Sequence, residues 1–178
     1  MSLPHAILTA LAERSSSGAE LARRFDRSIG YFWHATHQQI YRELARLEQA
    51  SLIQSVEAEA NSGQLRRYVL LPKGRAHLST WISSPLQAQA VRNELLLRVR
   101  AEAVMGPSGL EQELLRQIPV HEQILTMYKD IEQRDFSDIA PENRQLALQH
   151  AVLRAGILRE QAWLQWARET VELLRTFG

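Results

Sequence analysis

The sequence predicts a mostly α chain in two parts. Residues 1–85 form an N-terminal winged helix-turn-helix with a small β-hairpin, and residues 86–178 form a C-terminal α-helical, antiparallel coiled-coil-like dimerisation domain. Three observations predict it. Apolar residues Ile40, Leu44 and Leu47 recur at helical spacing behind a capping sequence. Two strand-like runs around Asn61-Ser62-Gly63 read as a hairpin. A periodic stretch from Glu142 to Phe177 then closes the chain.

Taken in order, Leu3, Ile7, Leu8 and Leu11 mark a first helix, with Pro4 tolerated in its first turn. Arg14 to Gly18 reads as a turn, and Ser17 with Glu20 as a capping box. The helix from Gly18 to Ser28 puts Leu21, Ala22 and Phe25 inward and Arg23, Arg24 and Arg27 outward. Gly30 ends it. Tyr31-Phe32-Trp33 forms an aromatic plug, and Thr36 with Gln39 caps a third helix running to about Ala50. Ile53–Glu57 and Tyr68–Leu71 are the hairpin strands, with Arg66 and Arg67 at the tip. Pro72-Lys73-Gly74 opens a helix reaching Ser83. Helices over Val91–Met105 and Leu110–Arg134 follow, with Pro119 kinking or dividing the second.

Composition narrows the function. With 178 residues, 45% hydrophobic and 23% charged, the chain is ordinary for a water-soluble protein. It has no cysteine, so no disulfide framework or thiolate metal site. Leu3–Leu11 is interrupted by Pro4 and His5, and no run approaches the ~20 apolar residues of a membrane span. The expected compartment is the cytoplasm, without membrane association. No phosphate-binding glycine loop, nucleophile–base pair or metal cluster is present, so neither enzyme activity nor a cofactor is expected. His34-x-x-His37 has ligand spacing, but no third ligand stands near it in sequence. Residues 1–90 carry ten Lys/Arg against seven Asp/Glu, and residues 91–178 carry eleven against thirteen. The basic excess sits in the first part.

The third helix gives the sharpest signal. On a wheel of ~100° per residue, Gln38, Arg42 and Ala45 lie opposite the Ile40–Leu44–Leu47 stripe, flanked by Gln39, Tyr41 and Arg46. Glutamine pairs with adenine and arginine with guanine, while a small residue lets a helix approach the groove floor. That is the outer face of a helix seated in a DNA major groove.

Gly30-x-Phe32-Trp33 followed by Gln39-Ile40-Tyr41-x-x-Leu44-x-x-Leu47-Glu48 resembles the signature of the PadR family of transcriptional regulators. Met1 to Leu8, Ser28 to Trp33 and Arg159 to Ala167 are similar to the AphA-type virulence-gene activators within it. The resemblance implies a bacterial, sequence-specific DNA-binding transcriptional regulator acting as a homodimer. Double-stranded DNA, as a two-half-site operator, is the implied partner, with a second transcription factor as a further one. Thr36, His37, Gln38, Gln39, Tyr41, Arg42, Arg46, Arg66 and Arg67 are the expected DNA-binding residues. The wing Gly63 to Tyr68 is shorter than the family pattern and lacks its proline, and Ala19 replaces a usual aromatic.

In the long last helix, Leu146, Leu153, Ile157, Leu164, Ala167, Val171 and Leu174 make one stripe, and Trp163, Trp166, Leu173 and Phe177 an adjacent one. Two stripes need a second surface, and another copy of the chain is the economical one. Leu153, Ile157, Trp163, Leu164, Trp166, Val171 and Leu174 are therefore the expected dimer contacts. Tyr128, Trp163 and Trp166 fill that dimer core on this reading. Two alternatives stay open: a repressor gated by an aromatic acid, and a protein-interaction module that uses the same scaffold without DNA.

Overall fold

The structure, a computed structural model, describes residues 3–27, 35–57, 66–86, 92–140 and 143–177. The aromatic plug Tyr31-Phe32-Trp33, His34 and the Asn61-Ser62-Gly63 turn lie outside the described residues, as do the side chains of Asp26 and Arg27. The chain divides into two units, Met1–Ala88 and Gln89–Gly178, each described by itself.

In the first unit the order is α1 Leu3–Glu13, β1 Ser16–Ser17, α2 Gly18–Arg27, α3 His37–Gln49, β2 Ile53–Val56, β3 Arg67–Leu70 and α4 Pro72–Ser83. Its core follows from helical periodicity. Ile7, Leu8, Ala10 and Leu11 of α1, Leu21, Ala22 and Phe25 of α2, and Ile40, Leu44 and Leu47 of α3 are buried together. Leu52, Ile53 and Leu78 complete the cluster. The predicted turn at Arg14–Gly18 contains a strand: Ser16 pairs with Tyr68 and Ser17 with Arg67. β3 also pairs with β2, so the hairpin becomes a three-stranded sheet of order β1-β3-β2.

Arg24, expected outward, turns inward. Its Nη1 donates to the Ala10 carbonyl at 2.7 Å and its Nη2 pairs with Glu13. A cation there adds a second donor to a carbonyl at the C-terminal end of α1 that also accepts from Arg14 N–H at 3.2 Å, and it suits the negative end of that helix. α3 ends on Ser51 at φ 57°, where Ser51 N–H donates to the Glu48 carbonyl and Leu52 N–H to the Leu47 carbonyl. That is a Schellman closure with serine in the place glycine usually takes.

The second unit contains α5 Glu94–Met105, α6 Leu110–Phe136 and α7 Arg144–Phe177. Pro119 lies inside α6, which is one helix across it. α6 and α7 run antiparallel, and their ion pairs show the register. Arg175 meets Glu111 at 2.8 Å, Arg168 meets Glu122 at 2.5 Å, and His150 meets Glu132 at 2.8 Å. His121 Nδ1 lies 2.5 Å from Glu160, whose side chain is only 4% exposed. Numbers fall along α6 as they rise along α7. At Gly156 an added Cβ would stand 3.0 Å from the Tyr128 ring, so glycine permits the close helix approach there.

Within the single chain, part of the expected dimer stripe is already covered. Ile157, Leu164 and Val171 are buried within the single chain. Trp163, Trp166 and Leu174 pack on the cluster formed by Leu110, Leu114, Ala167 and Val171, and Leu153 is half-buried. α6 supplies that cover from within the same chain. The aromatics are engaged in the same way: Trp163 stacks on His121 at 3.5 Å and meets Trp166 edge-on. The opposite side of α7 is the uncovered one, with Leu148, Val152, Leu158, Leu173 and Phe177 exposed.

Two predictions follow from the first unit. An added Cβ at Gly74 would stand 2.2 Å from the Leu52 carbonyl oxygen, which also accepts from Leu71 N–H at 3.0 Å. Gly74→Ala should therefore cost at least about 1–3 kcal/mol in urea unfolding, because the obstacle is backbone that cannot swing aside. His5 lies between α1 and α4, stacked on Trp81 at 4.3 Å and on His77 at 5.2 Å. Burial, then His77, then the N-terminal amine, lower its pKa from 6.5. The folded state thus holds His5 neutral while the unfolded chain takes up a proton. Stability is full above the unfolded value and falls as pH drops through it. Melting curves between about pH 7.5 and about pH 5.5 should show that fall, and His5→Phe should reduce it.

Candidate nucleic-acid interface

α3 is positioned from three sides. Its apolar stripe Ile40, Leu44 and Leu47 fixes the rotation about its own axis. At its N-terminus Thr36 Oγ1 accepts from Gln39 N–H at 3.2 Å, while Gln39 Oε1 accepts from Thr36 N–H at 2.9 Å. This is the expected capping box. Near its C-terminus Glu48 Oε1 accepts from Ser55 N–H at 2.6 Å, and Lys73 Nζ donates to the Ala50 carbonyl at 2.9 Å. The Ser55 hydrogen bonds hold the Glu48 carboxyl below its ordinary pKa.

The remaining face is open. His37, Gln38, Tyr41, Arg42, Ala45 and Arg46 are all exposed, and Arg46 approaches Glu43 at 3.7 Å. An array of amide, guanidinium and phenol around one small residue offers donors and acceptors to a base edge without a bulky obstruction.

The geometry sorts the expected site residues. Gln38 and Arg42 share the outward face with Ala45. Gln39 differs, because its amide oxygen is used in the cap and a two-point contact with adenine would forfeit that bond. The Thr36 oxygen likewise accepts from the backbone, leaving its hydroxyl proton to donate. Tyr41 leans over the start of α2, where a Cβ on Gly18 would stand 2.4 Å from its ring. It joins α2 to α3 while remaining half exposed.

The two wing arginines part company. Arg66 is exposed just ahead of β3. Arg67 lies within β3 rather than at a tip. Its Nη2 donates to the Ser15 carbonyl at 2.6 Å and its Nη1 lies 3.2 Å from Glu20. The expected Ser17–Glu20 capping box is present, but the pairing of Glu20 with Arg67 and the Glu48 bond to Ser55 were missed in the sequence. Glu20 carried a signal as the far end of a capping box; Glu48 carried only its place in the family motif.

Residues 7–80 match the Transcriptional regulator PadR-like family, and residues 91–175 match Virulence activator alpha C-term. A probable transcriptional regulator of Mycobacterium tuberculosis is 35% identical, over 98% of this chain and 98% of its own. The chain belongs to the PadR-like family of transcriptional regulators.

Solved structures of this family agree with the fold. The Vibrio cholerae virulence activator AphA is 32% identical with a TM-score of 0.85, covering 99% of this chain and 100% of its own. Bacillus subtilis PadR in complex with operator DNA is 20% identical with a TM-score of 0.84, covering 98% of this chain and 99% of its own. At that identity the second likeness speaks for the winged-helix fold alone. No helix among the described residues of this PadR-family chain is long and apolar enough to cross a membrane.

Proposed function

We propose that this PadR-family chain regulates transcription by inserting α3 into the major groove of double-stranded DNA, as a homodimer on a two-half-site operator. One observation carries the reading: the side of α3 opposite Ile40, Leu44 and Leu47 exposes Gln38, Arg42, Ala45 and Arg46 together. A solvated helix face needs no such combination of planar donors around a small residue. Gln38 and Arg42 read bases. Thr36, His37 and Arg46 reach the flanking backbone, and Arg66 adds a cation from the wing. That Bacillus subtilis PadR has been solved with operator DNA supports the same use of a shared fold.

The homodimer rests on α7. At ~100° per residue Leu148, Val152, Ala155, Ala162, Leu173 and Phe177 fall within an arc of about 80°, and all six are exposed. Such a face along a helix of 34 residues suits a second copy of itself.

Two experiments test this. Gln38→Ala or Arg42→Ala should cost about 1–3 kcal/mol on the preferred site and leave binding to random duplex nearly intact. Equal losses on both would place these residues on the backbone. Separately, Val152→Glu with Leu173→Glu should give a folded monomer by sedimentation with weakened operator binding, since both half-sites are needed. Leu164→Glu, by contrast, should unfold the α6–α7 pair, because Leu164 is 3% exposed in the single chain. A dimer that survives the Val152/Leu173 change would move the interface elsewhere.

A further inference from the structure

The family pattern and the basic run Arg66-Arg67 both suggest that the wing brings two cations to DNA. The geometry around Arg67 points elsewhere. Resting on the DNA-binding reading above, we infer that Arg67 is a positioning residue: with Glu20 it latches the base of the wing to the first turn of α2, and so fixes the wing relative to α3.

The latch has three bonded parts. Arg67 Nη2 donates to the Ser15 carbonyl at 2.6 Å, and Nη1 reaches both Glu20 oxygens, at 3.3 Å and 3.2 Å. Glu20 in turn accepts from Ser17 N–H at 2.8 Å, and its own N–H donates to Ser17 Oγ at 3.2 Å. Ser17 is the strand partner of Arg67, so the backbone pairing and the side-chain bridge close on the same residues. Ser16 and Ser17 are buried, and the side chains of Arg67 and Glu20 are 33% and 29% exposed. A planar guanidinium with donors at fixed angles can hold a carbonyl and a carboxylate at once; an ammonium is a single point. Ser17 N–H first, and Arg67 after it, keep the Glu20 carboxyl below its ordinary pKa.

The path continues to the recognition helix. Gly18, next to Ser17, lies under the Tyr41 ring of α3 so closely that a Cβ would stand 2.4 Å from it. β3, the start of α2 and the first turns of α3 are thus joined through Arg67, Glu20, Ser17, Gly18 and Tyr41. A guanidinium moved to a phosphate would leave Glu20 facing the wing without its cation and the Ser15 carbonyl without its donor. The wing then has one cation for DNA, Arg66, and its second arginine sets where that cation stands.

The test is a salt titration of binding to a random-sequence duplex, using full-length wild type, Arg66→Gln, Arg67→Gln, Arg67→Lys, Glu20→Gln and the double variant Glu20→Gln with Arg67→Gln, each well below its melting midpoint. A phosphate contact contributes about 0.9 to the slope of log affinity against log salt. On the latch reading, Arg67→Gln and Glu20→Gln each weaken binding roughly threefold to thirtyfold, and the double variant is no worse than either. Their slopes match wild type. Arg67→Lys fails to rescue. On the opposite reading, Arg67→Gln lowers the slope by about 0.9 per subunit, Arg67→Lys keeps it, and Glu20→Gln tightens binding by releasing the guanidinium. That set of results overturns the inference. A purely stabilising role would lower the melting midpoint and leave affinity unchanged, which also overturns it. Hydrogen exchange without DNA supplies an independent check: Arg67→Gln should speed exchange of the β1 and β3 amides and leave α6 and α7 unaffected. If wild type binds no duplex at low salt, the DNA-binding reading fails, and the exchange result alone decides whether the latch holds the sheet to α2; unchanged protection refutes it.

Discussion

The burial of Ile40, Leu44 and Leu47 is the constraint on which the functional surface depends. An α-helix cannot rotate one face inward without turning the opposite face outward, so three apolar positions decide where Gln38, Arg42 and Ala45 point. The cluster that receives this stripe is built from α1, α2 and the start of β2. Burial at ~25 cal/mol per Å² drives the packing, whereas the outward polar residues contribute little to it. The reading face is therefore free to vary in sequence while the helix that carries it stays in place.

Polar groups then divide between holding and contacting. Arg24, Glu20, Glu48, Lys73 and Arg67 all bond to backbone atoms inside the first unit. Each ties one element to another: α1 to α2, β1 to α2, α3 to β2, α3 to α4, and β1 to β3. These are charge-assisted bonds to backbone groups, stronger than exposed ion pairs. A basic count along the chain thus overstates the charge available for DNA, because some cations already have internal acceptors.

This division explains what could be read in the sequence. The elements of the first unit were legible because their apolar spacing and caps are local properties: α3 begins after Thr36 and α4 at Pro72, as the residues indicate. The outward face of α3 was legible for the same reason. β1 was not, since two serines carry no strand preference and pair only because β3 arrives beside them. The internal partners of Arg24 and Arg67 were hidden on similar grounds, whereas the Gln39 cap, a local feature, was legible. Residue type shows that a group can bond, but the partners come from chain 14 and 47 positions away. For α7, periodicity showed an apolar stripe without showing whose surface would cover it; α6 covers it.

The α6–α7 pair shows how such a surface is specified once apolar packing alone leaves choice. Leu, Ile and Val at helical spacing tolerate sliding by a turn or a heptad, because one stripe resembles the next. The charged residues do not. α6 provides carboxylates at Glu111, Glu122 and Glu132, and α7 provides Arg175, Arg168 and His150 opposite them. Beside the Glu122 rung the polarity reverses: His121 of α6 faces Glu160 of α7, and Arg159 Nη2 also lies 3.1 Å from that carboxylate. A slid register would bring Glu160 against a carboxylate of α6, or strip this buried carboxylate of the His121 nitrogen and leave it only Arg159 of its own helix, and losing a partner of a buried polar group is destabilising. The partly exposed rungs add little stability individually. The buried reversed rung penalises the alternatives, so the register is held more by what the wrong alignments cost than by what the exposed pairs contribute. With α6 aligned in that way, the side of α7 bearing Leu148, Val152, Leu173 and Phe177 is left outward as a single face.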